Sequence, residues 1–165
     1  MAEKTKRWIA QTMKELMKTK PLSEIRVKEI CEAAEIDRST FYYHFQDKYD
    51  LVAWIYYTVA RDMDPSSSDS AAESLKRMKK DYRFYKQAYE DHSQNALRHY
   101  ILEYFCKLYE EKALEVLGTE ELDPQIRYSI RMFVHGGVGM SREWFLADAT
   151  QSAEEIAAMM IASMP

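Results

Sequence analysis

Apolar residues recur every three or four positions along most of this chain, which is the spacing of amphipathic helices. No run of alternating apolar and polar residues bounded by turn residues indicates a β-strand. The pattern therefore predicts an all-α protein, with Asp81 separating two shorter helices in one aromatic segment. Outside segment 27–48, helices are predicted over about residues 3–19, 48–63, 71–91, 94–117, 124–147 and 152–163.

Segment 27–48 has the pattern of two short helices joined by a tight turn. The first helix is predicted over residues 27–34, with one buried apolar stripe, and Glu35-Ile36 forms the turn. Asp37 is placed as the N-cap of the second helix, because an aspartate carboxylate accepts hydrogen bonds from the free N–H groups of a first turn.

The second helix is predicted to bury Phe41 and Phe45, which lie four residues apart and share one face. At about 100° per residue, Tyr43 then lies on the opposite, exposed side. The side chains left outside are suited to phosphates, base edges, sugars and thymine methyl groups. They are Arg38, Ser39, Thr40, Tyr42, Tyr43 and His44. Lys48 starts the next helix, where its ammonium and the helix dipole together favour a phosphate.

This segment resembles the helix-turn-helix DNA-binding domain of the TetR family of bacterial transcription regulators. The resemblance covers about residues 5–55 and rests on Ile30, Ala34, Ile36, Phe41, Tyr42, His44, Phe45, Lys48 and Leu51. It implies a three-helix DNA-binding domain at residues 1–47 and an antiparallel helical effector and dimerisation domain at residues 48–165. It also implies a homodimer that binds a roughly palindromic site on double-stranded DNA, with recognition helices about 34–36 Å apart.

Three residues depart from the usual pattern of the family. Glu35 replaces a glycine, so a left-handed helix end costs about 1 kcal/mol more here. Asp37 replaces a serine and brings a negative charge near the DNA backbone. Arg26 stands where a threonine often caps the first helix of the motif, and its guanidinium reaches phosphate without acting as a cap. The fold is still expected, while the target sequence stays open.

The charge distribution fits a DNA-facing end on a more acidic body. The net charge is −4, but residues 1–50 hold 10 basic and 9 acidic residues, whereas the rest of the chain holds 13 and 18. Residues 1–20 carry six basic groups against two acidic ones. From this end, Lys4, Lys6 and Arg7 are expected to approach the phosphate backbone.

Several features bear on size and location. A chain of 165 residues with only four glycines and four prolines is long enough for a helical core. We find no apolar stretch of roughly 18 residues and no apolar segment after a basic start, so we expect a soluble, cytoplasmic protein. Cys31 and Cys106 are isolated thiols in helical patterns, and we expect neither a disulfide nor a metal from them.

The second half has a resemblance of its own. Residues 84–110 and 136–145 resemble the effector half of a TetR subgroup that includes regulators of dihydroxyacetone kinase genes, most clearly at Arg142-Glu143-Trp144. The resemblance implies a dimer formed through the last two helices. It also implies control by a small-molecule effector or a partner protein. Repression relieved by a ligand is the default mechanism, while some subgroup members activate transcription with a partner.

Aromatic residues and methionine are abundant, with 12 Tyr, 6 Phe, 3 Trp and 10 Met. One interpretation is a cavity in the second half that binds a flat or apolar small molecule. Its predicted lining is Trp54, Tyr85, Tyr89, Tyr100, Tyr104, Met132 and His135. The alternative is a filled core in which tyrosine hydroxyls reach the surface, and the sequence fits both.

The sequence contains no pattern typical of a catalytic, cofactor or metal site. Residues 136–139, GGVG, follow no strand and lie in a helical pattern, so close helix packing explains them better than nucleotide binding. We find no activated nucleophile, no paired carboxylates and no metal-ligand spacing, and we expect neither an enzyme nor a cofactor. The alternative to a DNA-binding regulator is a helical interaction module that keeps the dimer scaffold and acts through a protein partner.

Overall fold

The computed structural model describes residues 2–62, 64, 67–91 and 94–163, with the backbone only for residues 94–96. These residues form helices and no β-strand, which confirms the all-α prediction. A short 3-10 turn, Leu22–Glu24, follows the first helix. The α-helices are α1 (Ala2–Leu16), α2 (Val27–Ala34), α3 (Arg38–His44), α4 (Lys48–Ala60), α5 (Ser68–Lys80), α6 (Tyr82–Glu90), α7 (Gln94–Leu117), α8 (Pro124–Leu146) and α9 (Ala153–Ala162).

Local capping residues set several of these helix ends. The Asp47 carboxylate accepts hydrogen bonds from two backbone N–H groups in the first turn of α4. Ser152 and Glu155 form the predicted capping box at the start of α9. Gly118 follows α7 with a φ of 63°, a left-handed conformation that glycine adopts without steric cost. The predicted break at Asp81 is confirmed, since it separates α5 from α6.

Three predicted boundaries fall elsewhere. Helix α5 begins at Ser68 rather than near residue 71. Helix α1 ends at Leu16 rather than near residue 19, and a turn continues to Lys20. Helix α4 ends at Ala60, and Met63, where the prediction placed its end, lies outside the described residues.

The first three helices pack around one apolar core with α4. Its fully buried members include Ile9, Met13, Ile30, Phe41 and Phe45. Helix α4 contacts α1 on one side and α7 on the other. It therefore connects the helix-turn-helix end to the second half through packed side chains.

The second half is a layered helical bundle. Helix α5 packs on α9, α6 packs on α8, and α7 packs on α4 and α8. Tyr85 and Phe145 are fully buried at its centre, where their ring centroids lie 5.5 Å apart. Leu122, Ile130 and Val134 form a smaller cluster between α7 and α8. Among the described residues, no helix combines the length and apolar character needed to span a bilayer.

Candidate nucleic-acid interface and effector cavity

The turn between α2 and α3 adopts the left-handed helix end expected at Glu35. Glu35 has φ 54° and ψ 46°. The N–H of Ile36 donates to the carbonyl of Cys31 at 3.0 Å, which satisfies a free carbonyl of α2. Asp37 occupies the N-cap position of α3, as predicted, but its carboxylate makes no capping hydrogen bond. The short turn lets α3 pack against α2 and α1.

Helix α3 has one buried and one exposed face, as predicted. The Phe41 and Phe45 rings are buried, with centroids 5.9 Å apart. Tyr43 is 80% exposed and Tyr42 is 56% exposed. Thr40 and His44 lie partly buried at the flanks, and the remaining predicted contact residues, Arg38 and Ser39, are exposed. The structure thus brings six of the predicted DNA-contacting residues to one short helix.

Arg26 precedes α2 and is exposed, as a phosphate contact requires. Its backbone N–H donates to the Glu29 carboxylate at 3.0 Å. Glu29 also pairs with Lys20. Because a guanidinium has no acceptor atom, Glu29 supplies the capping contact here and the Arg26 side chain does not take part in it.

The basic residues of α1 are partly engaged within the protein. The Lys6 ammonium lies 5.4 Å from the Phe45 ring centroid and 5.6 Å from that of Trp54. Burial and the nearby Lys6 charge lower the pKa of His44, which favours the neutral imidazole. Arg7 lies within 3.6 Å of the Glu3 carboxylate. Lys4 is exposed.

Lys48, which was expected to contact a phosphate, is turned inward in this structure. Its Nζ atom donates to the carbonyls of Leu22, Ser23 and Ile25 at 2.7, 3.1 and 2.8 Å. Burial lowers the pKa of this ammonium. The Asp47 carboxylate meanwhile occupies the N–H groups at the start of α4. Lys48 therefore fastens the turn before α2 to α4, and an ammonium with three acceptors has little left for DNA.

Two tyrosines of α7 bind the segment that follows α3. The hydroxyl of Tyr100 donates to Asp47 at 3.1 Å, and the hydroxyl of Tyr104 donates to Asp50 at 2.8 Å. Asp50 is buried and also accepts from the backbone N–H of Gln46 at 2.8 Å. Burial, followed by the bond to Asp47, raises the pKa of Tyr100 to about 12. These hydrogen bonds tie α7 to the first turn of α4.

The seven residues predicted to line one cavity do not lie together. Trp54 packs on Phe45 at 5.8 Å, while Tyr100 and Tyr104 form the junction just described. Met132 is 61% exposed, and His135 is also exposed, because both lie on the outer face of α8. Tyr85 is enclosed in the aromatic core. Tyr89 is the one of the seven that lines an apolar cavity enclosed among the helices of the second half.

That cavity is small and apolar. It has a volume of about 80 Å³, and helices α4 to α9 form its walls. At roughly 30 Å³ for each water-sized group, it holds only two or three such groups. Its lining includes Tyr56, Tyr89, Ile101, Phe105, Tyr109 and Val138. The aromatic interior around this cavity is thus closer to the filled core than to an open pocket. The α7 residues that line the cavity, Ile101, Phe105 and Tyr109, are four positions apart. Ile101 and Phe105 directly follow Tyr100 and Tyr104 in the sequence.

An exposed apolar surface covers one side of α8 and α9. Tyr128, Met132 and Met140 are exposed on α8, and Gly136 completes their four-residue spacing. Met159 of α9 is 50% exposed beside them. A Cβ atom built on Gly136 would meet nothing within 4 Å, so the centre of this surface is open. We call these five residues the α8–α9 face.

Comparisons with known proteins identify both halves. Residues 10–55 match the family described as bacterial regulatory proteins, tetR family. Residues 66–165 match the family described as transcriptional regulator C-terminal region. The chain belongs to the TetR family. The resemblance found at the helix-turn-helix is thus confirmed, and the chain is a transcription regulator of this family.

Individual relatives point to one subgroup. The HTH-type dhaKLM operon transcriptional activator DhaS of Lactococcus lactis subsp. lactis (strain IL1403) is 34% identical over 65 residues. That alignment covers 39% of this chain and 35% of the relative, so the chain spans about a third of the relative's length. A solved structure of the dihydroxyacetone kinase operon activator DhaS has a TM-score of 0.60 and 19% identity, covering 97% of this chain and 93% of that one. This likeness confirms the fold.

The sequence left two features of this TetR-family chain undetected. Arg142, in the motif that marked the subgroup, has its Nε atom buried inside the second half. The tyrosine–aspartate junction was also missed, since Tyr100 and Tyr104 were placed in a cavity. Their four-residue spacing signalled a shared face, and only the packing of α7 on α4 decided which face it was.

Proposed function

We propose that the chain is a homodimeric regulator that binds a roughly palindromic DNA site, with residues 1–47 binding DNA and residues 48–165 serving as effector and dimerisation domain. The observation that carries the proposal is that α3 has one buried apolar face and one exposed polar face. Its Phe41 and Phe45 rings are buried, whereas Tyr43 is almost fully exposed among hydrogen-bonding side chains. A helix of this kind fits the major groove of B-DNA.

Individual contacts follow from the positions of these side chains. Arg38, Ser39, Thr40 and Tyr43 are assigned to the groove, because they occupy the start and the exposed face of α3. Tyr42, His44 and Arg26 are assigned to backbone phosphates. His44 contributes as a neutral donor, since its pKa is lowered. Lys48 supports the binding surface from inside through its three carbonyl contacts.

The dimer is proposed to form through the α8–α9 face. Large exposed apolar patches on a soluble domain mark interaction sites. A two-fold axis through this face would bring Gly136 of each protomer opposite its copy, where the absence of a side chain lets two helices approach closely. Such a dimer presents two α3 helices to one side of a duplex, about 34–36 Å apart.

Regulation is proposed to pass through α7. This helix lines the apolar cavity with Ile101 and Phe105 and holds Asp47 and Asp50 through its tyrosines. A small molecule or partner protein that shifts α7 would therefore move the segment that directly follows α3, and so shift the population competent for DNA. Since bacterial DNA lies in the cytoplasm, the protein would act there.

The proposal is tested by selecting from a random duplex library with the purified full chain. The winning site is then titrated at two salt concentrations. We expect an enriched palindrome and a steep fall in affinity with salt, because several phosphates are contacted. If no sequence is enriched, or if the affinity for duplex DNA does not depend on salt, the chain would instead be the helical interaction module.

The sign of regulation is a second measurement. The relatives are named as activators, so we propose activation, in place of the default repression, for this chain. A reporter gene placed behind the selected site should rise when the chain is expressed. A fall in the reporter would identify a repressor.

A further inference from the structure

A cleft lies next to the apolar cavity in the second half. Tyr89, Ile101 and Val138 line both spaces and so form the partition between them. The cleft has a volume of about 330 Å³, near the lower end of the roughly 300–1,000 Å³ typical of ligand sites. Its remaining lining comes from α6, α7 and α8 and consists of Ala88, Leu97, Arg98, Gly139, Arg142 and Glu143.

Arg142 is the polar group in this cleft that lacks an acceptor. Its side chain is partly buried, and its Nε atom is fully buried with no hydrogen-bond partner among the described residues. Neither Arg142 nor Arg98 pairs with a carboxylate in the described part of the chain. A buried N–H group without an acceptor is costly, so an acceptor on a bound molecule would be favoured strongly at this position.

The charge of the cleft defines the kind of acceptor. Arg98 and Arg142 are positive and Glu143 is negative, which leaves one positive charge for a ligand to neutralise. An arginine fork matches the two oxygens of a carboxylate, and such pairs combine charge with two parallel hydrogen bonds. A single negative charge therefore suits this site better than the double charge of a phosphate monoester.

The rest of the lining defines the body of the ligand. Ala88, Leu97, Ile101 and Val138 are apolar and line the same cleft. At roughly 30 Å³ for each water-sized group, the cleft holds about ten such groups. The ligand is therefore short, with an apolar body next to its charged end.

We propose that this cleft binds a small carboxylate, whose oxygens accept hydrogen bonds from Arg142 and whose apolar body lies against Leu97 and Ile101. Its role as the effector rests on the function proposed above. Binding itself does not, because the site contains no residue of the DNA-binding surface. Ile101 neighbours Tyr100, so the ligand contacts the helix that holds Asp47.

The experiment is a titration of the full chain, without DNA, with hexanoate and with benzoate. Chemical shifts of ¹⁵N-labelled backbone amides report binding and its place in the chain. Hexanamide is the neutral control of the same shape. We expect both carboxylates to shift amides of α7 and α8 around the cleft, and hexanamide to bind at least about tenfold more weakly.

Three variants locate the site. Arg142→Gln should weaken carboxylate binding roughly 10- to 100-fold. Arg127→Gln removes the same charge from an exposed position of the same helix and should leave binding unchanged. Gly139→Leu should abolish binding by filling the cleft. An added Cβ there meets nothing within 4 Å, so the leucine side chain has room to enter the cleft, and circular dichroism checks that the fold is retained.

The outcomes separate cleanly. Equal binding of hexanamide, undiminished binding by Arg142→Gln or Gly139→Leu, or no shift with either carboxylate would overturn the proposal. DNA binding is measured separately on the same variants. If carboxylates bind at Arg142 but no duplex is selected, the site stands and the proposed regulatory function fails. If a palindrome is selected but no carboxylate binds, the regulator stands and the site fails.

Discussion

Tyr43 on α3 and Tyr128 on α8 are both large and mostly exposed, at 80% and 66%, yet their surroundings differ in kind. Tyr43 stands among Arg38, Ser39 and His44, whose side chains carry hydrogen-bond donor groups. Tyr128 stands in line with Met132 and the other apolar members of the α8–α9 face, which offer none. Exposure alone therefore does not say what a surface binds. The residues around the aromatic ring indicate the kind of partner. Polar neighbours favour a hydrated, polar partner at α3, and apolar neighbours favour an apolar partner at α8.

The largest effect is expected from a charge placed on the apolar α8–α9 face. Met132→Glu should weaken dimerisation by more than about 100-fold, because an unpaired charge buried at an interface costs roughly 3–5 kcal/mol. Sedimentation equilibrium gives the dimer constant, and circular dichroism checks the fold.

The matched control is Val116→Glu. Val116 is 82% exposed at the end of α7 and does not line the groove between α8 and α9, so this change should leave the dimer intact. Equal effects of the two substitutions, or none from Met132→Glu, would mean that the protomers meet elsewhere.

A substitution of Lys48 tests whether its three carbonyl contacts stabilise the helix-turn-helix end of the protein. Lys48→Met should lower the free energy of unfolding by about 1.5–3 kcal/mol in the absence of DNA, since three carbonyls lose a charged donor. Urea denaturation measures this directly. Lys28→Met provides the control, because Lys28 is an exposed lysine of α2. A Lys48 variant of unchanged stability but weaker duplex binding would indicate instead that Lys48 contacts a phosphate of the DNA.

These cases show what the sequence could predict. The bounds of α2 and the buried phenylalanines of α3 depend on residues within one or two turns, so periodicity and turn chemistry predicted them. The acceptors of Lys48 lie more than 20 residues upstream, and the direction of their carbonyls is not encoded in any local pattern.

The second half was harder for a related reason. Helix α8 has apolar residues on two faces, so its pattern does not distinguish an inward Val134 from an outward Met132. Tertiary packing makes that choice. Met132 and His135 were placed in a cavity for this reason, while Arg142, which lines the cleft, was noted only as part of a family resemblance.

The two exposed tyrosines allow the same substitution on both surfaces. Tyr43→Ala should reduce discrimination between the selected site and an unrelated duplex by roughly 1–3 kcal/mol, with little change in stability. Tyr128→Ala should weaken the dimer and leave discrimination unchanged at protein concentrations that restore it. Titration of both duplexes by fluorescence anisotropy separates the effects. Identical behaviour of the two variants would remove the distinction between the surfaces.

The smallest effect concerns the junction between the two regions. Burial and the bond to Asp47 raise the pKa of Tyr100 from 10 to about 12, and burial and the bond to Asp50 raise the pKa of Tyr104. Above pH 10 the unfolded chain releases protons that the folded chain keeps. Stability should therefore be full below pH 10 and fall as the pH rises toward 12.

Replacing both junction tyrosines by phenylalanine should make that alkaline fall shallower, although the variant starts less stable at pH 8. Tyr43→Phe, at a position that is 80% exposed and outside the α8–α9 face, should follow the unmodified chain throughout. Urea midpoints measured between pH 8 and 11.5 give the slopes. An unchanged slope in the double variant would mean that the α7 hydroxyls release their protons as readily in the folded chain as in the unfolded one. The proposed path from the effector half to α3 would then have to run through the packing of α4 on α7 instead of through these two hydrogen bonds.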